Sequence, residues 1–205
     1  MADEEMPEVN ATTSSAAATA TSAVTTDLGT DAPLIVSAYD WGALGHVVDV
    51  GGGDGTLLVA LLNEYPTLRG TVVDLPNTAE AARRMLAAAG LADRGNAVAG
   101  DFFGDLPDDA EGYLLCSVLH QWSDEEARAI LRNCAAAAGE DGAVFVIEKI
   151  PDVTAAAERA HEPAPPDGAR ERDVGELTLL AESADLTVAA IHTAGAIAIL
   201  ELAAR

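Results

Sequence analysis

The sequence predicts an α/β fold: a mostly parallel sheet with helices on both faces, closing in an antiparallel hairpin. Three observations carry this. Short β-branched apolar runs alternate with helical patterns from His46 onward. The first of those runs ends in Gly51-Gly52-Gly53-Asp54-Gly55. The last two runs, 186–192 and 196–202, are separated only by Thr193-Ala194-Gly195. Strand–helix alternation implies right-handed crossovers and parallel strands. Three residues cannot hold a crossover helix, so the terminal pair must be a hairpin.

The elements follow in order. Val47-Val48-Asp49-Val50 reads as the first strand, and 56–64, with Leu57, Leu58, Ala60, Leu61 and Leu62, as the first helix of the alternation. Strand 71–74 and helix 78–89 come next, then a short strand 96–99 and a fourth strand 113–117. The helix 124–138 starts at Ser123-Asp124-Glu125-Glu126, a capping signal. Strand 144–147 is the fifth. Ahead of the alternation, Pro33 could open a helix through Leu34, Ile35, Val36 and Tyr39, with Trp41 as its anchor. Residues 11–26 are all Ala, Ser or Thr except Val24, so 1–26 reads as a disordered or loosely helical tail and 27–205 as one domain. No internal repeat is visible.

Composition narrows the partners. The 205 residues carry 34 Asp+Glu against 11 Lys+Arg, a net charge of −23, and Lys149 is the sole lysine. Without a basic stripe the chain is not expected to bind nucleic acid or an anionic membrane surface. No apolar run approaches the length of a membrane span, and the acidic start Met-Ala-Asp-Glu-Glu is unlike a signal peptide. Cys116 and Cys134 alone make no disulfide framework and fit a reducing cytoplasm. No Cys/His cluster has metal-ligand spacing, so no metal is expected.

The glycine loop narrows the chemistry. It joins a strand to a helix, where glycines allow a tight turn and close backbone approach to a ligand, and the helix start offers free N–H groups. The dinucleotide fingerprint Gly-x-Gly-x-x-Gly would need glycine at position 56, where Thr56 stands. Asp49 to Gly55 fits Asp-x-Gly-x-Gly-x-Gly instead. Asp74 ends the second strand, about 20 residues past the glycines, where an acid can accept from both ribose hydroxyls. The blander reading of Asp74 is a helix cap or a solvated loop acid.

Further motifs are Val72-Val73-Asp74-Leu75-Pro76, Gly100-Asp101-Phe102-Phe103, Leu119-His120-Gln121-Trp122-Ser123-Asp124-Glu125-Glu126 and Val146-Ile147-Glu148. Together with the glycine loop, the chain resembles the caffeic-acid-type (plant and actinobacterial) S-adenosylmethionine-dependent O-methyltransferases, closely over 30–150 and loosely beyond. The resemblance implies a Rossmann-like class I methyltransferase sheet, for which the terminal hairpin is characteristic, and S-adenosylmethionine as cofactor. It implies cofactor contacts at Asp49, Gly51, Gly53, Asp74, Leu75, Asp101, Phe102 and Cys116. Gly51 and Gly53 would lie along the cofactor's amino-acid portion, Asp74 would bind the ribose, Asp101 would accept from the adenine amine and Phe102 would pack on the ring. His120 matches the base that deprotonates the acceptor hydroxyl, and Glu148 and Glu171 the two acids that orient it.

The residue types suit that chemistry independently. Methyl transfer is an in-line displacement in which positioning does most of the work. A phenol near pKa 10 needs a base, and histidine titrates in the useful range. The blander reading of His120 is a helix cap or a ring packed under Trp122. His46, His161 and His192 read as structural or exposed.

Three departures from the family pattern stand out. Gln121 occupies the position of an Asp that follows the base histidine. Where the family has the N-terminal helical domain through which it dimerises, the tail is expected instead, which leaves a homodimer open. Residues 151–170, where the family has an acceptor-lining helix, carry Pro163, Pro165 and Pro166. Two readings follow. One is an O-methyltransferase acting on a hydroxyl of a small aromatic, phenolic or polyketide-like molecule. The other is a non-catalytic cofactor-binding remnant or accessory subunit.

Overall fold

A computed structural model describes residues 30–108, 110–150, 168 and 170–205. The expected tail and most of the proline-bearing segment, with His161, lie outside them. Helix α1 covers 30–38. A 3-10 turn, Trp41–Ala43, leads into β1 (His46–Val50). Then follow α2 (Thr56–Glu64), β2 (Arg69–Asp74), α3 (Pro76–Ala88), β3 (Gly95–Ala99) and β4 (Gly112–Cys116). A second 3-10 turn, Leu119–Gln121, precedes α4 (Asp124–Ala138), β5 (Ala143–Lys149), α5 (Val174–Ser183), β6 (Leu186–Ala194) and β7 (Ile197–Ala204).

The seven strands form one sheet in the order β3-β2-β1-β4-β5-β7-β6. β1 to β5 are mutually parallel. β7 inserts antiparallel between β5 and β6. The hairpin turn is Gly195-Ala196, one residue shorter than the apolar pattern suggests, because β6 continues through Thr193 and Ala194.

Both sheet faces are covered, which is why the central strands read as unbroken apolar runs. On one face α1, α2 and α3 lay Ile35, Leu57, Leu61 and Leu86 against Val47, Val72, Leu114 and Phe145. Trp41 is fully buried there, its Nε1 donating to the Ile35 carbonyl at 3.0 Å, so the indole fixes α1 to the sheet. Lys149 Nζ lies 2.8 Å from Asp31 Oδ2 and ties α1 to the end of β5. On the other face α4 and α5 lay Ile130, Leu131, Leu177 and Leu180 against Val48, Tyr113, Val144 and Val146.

Helix α5 has no counterpart among the expected elements. It begins with a capping box in which Glu176 N donates to Asp173 Oδ1 (2.8 Å) and Asp173 N to Glu176 Oε2 (3.0 Å). The same device starts α4 at Ser123 and Glu126. The strand order reverses between β1 and β4, so ligands are expected outside the carboxyl ends of those strands.

Candidate active site

The C-terminal ends of the five parallel strands share one sheet edge, and the site residues stand on it. Gly51 follows β1, Asp74 ends β2, Asp101 follows β3, Cys116 ends β4 and Glu148 lies near the end of β5.

The loop after β1 turns on left-handed glycines. Gly51 has φ +72 and Gly53 φ +61, a region costly for residues with a Cβ. A Cβ on Gly51 would come 3.1 Å from Val118 and 3.6 Å from the Phe102 ring, so the loop packs tightly there. A Cβ on Gly53 would meet nothing within 4 Å among the described residues beyond its chain neighbours, so the loop is open on that side. Gly52 answers to a different neighbour: its Cβ would fall 2.4 Å from the Asp49 carboxyl carbon.

Two carboxylates flank the loop. Asp74 is 7% exposed, its Oδ2 accepting from Gly53 N (3.0 Å) and its Oδ1 from Leu75 N (2.7 Å). Burial raises its pKa above the ordinary carboxylate value, against hydrogen bonds from Gly53, Leu75 and Thr78 that lower it. Asp49 is fully buried, and neither of its oxygens has a hydrogen-bond partner among the described residues. Burial, then the charges of Asp74 and Asp54, push its pKa up to about 7. An orphaned buried acid is costly. Cys116 is buried beside it, its thiol pushed well up by burial and by the nearby acids Asp49 and Glu148.

Past β3, Asp101 is exposed and its Oδ1 accepts from Phe103 N at 2.9 Å. Phe102, Phe103 and Trp122 form a cluster of edge-packed rings with centroids 5.1 to 5.4 Å apart. Phe102 thus bridges the glycine loop and the segment that carries His120.

His120 sits in the 3-10 turn after β4. Its Nδ1 lies 2.9 Å from Glu148 Oε2. Glu148 is 5% exposed, and its Oε1 accepts from Leu119 N (2.8 Å) and His120 N (3.3 Å). The hydrogen bond that His120 donates to Glu148 raises its pKa above the ordinary histidine value; burial opposes it, Glu148 and Glu171 add their charges, and Arg172 counters them. Glu171 is exposed and acts on the ring through its field. Gln121 turns back on the main chain, Nε2 donating to Ser117 O at 2.9 Å. Ser117 itself has φ +55, a strained value for serine beside a site. His46 Nε2 lies 3.2 Å from Thr71 Oγ1 at the opposite end of β1, and the His192 ring packs edge-on to Tyr39.

Sequence reasoning did not find Arg172, which is 3% exposed and bonded to the carbonyls of Leu119 and Trp122. Nothing local in the sequence marks it. Its partners are some 50 residues away, joined to it by the docking of α5.

A parallel sheet closed by a terminal hairpin, with a glycine loop, a strand-end acid and a histidine–carboxylate pair on one edge, defines a class I methyltransferase fold. The chain belongs to the O-methyltransferase domain family, whose match covers residues 8–169. It is 47% identical over 171 residues to 2,7-dihydroxy-5-methyl-1-naphthoate 7-O-methyltransferase of Streptomyces carzinostaticus, covering 83% of this chain and 52% of that one. It is 50% identical over 123 residues to aclacinomycin 10-hydroxylase RdmB of Streptomyces purpurascens, covering 60% of this chain and 32% of that one. Among solved structures, the neocarzinostatin O-methyltransferase NcsB1 with S-adenosylmethionine and 2-hydroxy-5-methyl naphthoic acid superposes with a TM-score of 0.81 at 44% identity. That match covers 92% of this chain and 57% of the NcsB1 chain. The chain thus spans about half the length of these matches or less. Among the described residues no helix is long and apolar enough to cross a membrane.

Proposed function

We propose that this chain is the cofactor-binding and catalytic portion of an S-adenosylmethionine-dependent O-methyltransferase. It would act in the cytoplasm on a hydroxyl of a small aromatic molecule, phenolic or polyketide-like. The observation that carries this is the 2.9 Å contact between His120 and Glu148 on the same sheet edge as the glycine loop. The naphthoate-type acceptors in the names of two matches support the substrate class.

The residues fit the cofactor. The open side of Gly53 admits close approach, and the uncompensated acid Asp49 suits a ligand bearing an ammonium and a sulfonium. Asp74 would accept from the ribose hydroxyls beside Leu75, and Asp101 from the adenine amine with Phe102 against the ring. Cys116 would line the floor. When bound, the cofactor supplies an electrophilic methyl group.

The chain's part is to make and hold a nucleophile. Glu148 accepts from Nδ1–H of His120, which fixes the tautomer with Nε2 as the acceptor atom. Nε2 takes the proton of the substrate hydroxyl, and the resulting imidazolium is stabilised by Glu148 and the field of Glu171. The proton then passes to solvent, since the His120 side chain is 33% exposed.

Labelled S-adenosylmethionine incubated with hydroxynaphthoates and other phenols tests this reading. Product is expected from the parent chain and not from His120→Ala; equal rates in both would remove the base. Gln121, an uncharged amide turned onto Ser117 O beside His120, favours a second reading, a non-catalytic cofactor-binding remnant or accessory subunit. It predicts micromolar binding by calorimetry and no labelled product.

A further inference from the structure

The turn that carries His120 is gripped from two sides by opposite charges. Its donors, Leu119 N and His120 N, are taken by Glu148 Oε1. Its acceptors are taken by Arg172, whose Nη1 donates to Leu119 O and Nη2 to Trp122 O, each at 2.7 Å. The other donors are also engaged: Nε (3.0 Å) and Nη2 (2.8 Å) reach Asp124 Oδ1 at the start of α4, and Nη1 approaches Arg170 O at 3.4 Å. A guanidinium carries five donors in a rigid fork, and here all five are satisfied at 3% exposure. Buried arginines persist where every donor is met.

We propose that Arg172 is the positioning residue of the base: by bonding the carbonyls at both ends of the turn it fixes how His120 presents Nε2 to the acceptor, and it sets Glu171 beside the ring. This rests on the assignment of His120 as the base. Lysine could not substitute, because one ammonium lacks the planar fork that spans two carbonyls and a carboxylate. The charged groups acting on His120 are Glu148 from β5, and Glu171 and Arg172 from the segment before α5. Arg172 opposes the other two, so removing its charge moves the His120 titration upward.

The test uses Arg172→Met, which keeps the aliphatic stem and removes the fork, and Arg172→Lys, which keeps the charge. The His120 Cε1–H signal is titrated by NMR in the full chain without acceptor. Cofactor affinity is measured by calorimetry and kcat with a phenol that the parent methylates. In Arg172→Met, with circular dichroism and cofactor affinity unchanged, the His120 titration is expected to move upward. Its kcat is expected to fall about 10²-fold, the scale of ångström misplacement of a reacting group. Arg172→Lys should restore the titration but not the rate. A folded Arg172→Met with parental titration, or with parental kcat, overturns the proposal. If Arg172→Met does not fold, Arg172→Lys decides: lowered kcat at parental cofactor affinity supports it, and parental kcat overturns it. The titration needs no turnover, so a parent chain that methylates nothing sinks the base assignment alone, while an unmoved titration in Arg172→Met sinks the role of Arg172.

Discussion

Nδ1 of His120 and Oε2 of Glu148 stand 2.9 Å apart although 28 residues separate them in the chain. The meeting is made by the β4–β5 pairing, which aligns Cys116 with Ile147 and brings the turn after β4 over the end of β5. Glu148→Gln keeps the shape and removes the charge. The raised His120 pKa should fall, shifting the acidic limb of the rate profile to lower pH, because the base must be unprotonated to work. The kcat should drop by about 10²–10⁴-fold, the usual worth of a general base correctly held. Rates from pH 5 to 9 for both proteins check this; an unmoved acidic limb would assign the titration to another group.

Asp74→Ala should weaken S-adenosylmethionine binding by about 1–3 kcal/mol, the cost of leaving polar partners unmatched. Calorimetry reads it directly. Full affinity would place the ribose elsewhere.

Gly53→Ala separates ligand space from protein space. Among the described residues, its chain neighbours aside, no atom lies within 4 Å of the added methyl, so the loss of stability should be confined to the left-handed backbone, about 1–2 kcal/mol. Cofactor affinity should fall much further. Gly51→Val meets Val118 as well and should damage both binding and fold. Thermal melts with and without cofactor distinguish the two; equal cofactor-induced shifts in Gly53→Ala and parent would mean the loop does not touch the ligand.

Asp49→Asn addresses the orphaned acid. Its folded pKa of about 7 exceeds the unfolded value of 3.8, so the protonated form is favoured in the folded state. Stability tied to this group is fully present below about pH 4 and is lost as pH rises through 7. The amide variant should therefore be the more stable ligand-free protein at pH 8, by at most about 4 kcal/mol on linkage, and should bind cofactor less well. Melting curves at pH 5 and 8 give the sign; a variant less stable than the parent at pH 8 would mean that Asp49 is compensated.

Most of the sheet was legible because its cause is local. β-branched runs such as 47–50 and 71–74 announce strands, and Ser123 with Glu126 announces the start of α4. The helix Val174–Ser183 was not, since Gly175, Thr178 and Val174 dilute its helical pattern; its one clear sign was the Asp173/Glu176 spacing. At the site, Asp74 and the glycines were readable from their order along the chain. The isolation of Asp49, the inward turn of Gln121 and the grip of Arg172 were not, because each depends on what a distant segment places opposite it.

The bond between Lys149 and Asp31 gives the protein an experimental handle. Lys149 is the only side-chain amine in 205 residues, and acylating it would discard the charge that holds Asp31. The half-exposed amine is open to reagents, so the change in melting temperature on acylating this one position reads what the contact between α1 and β5 contributes.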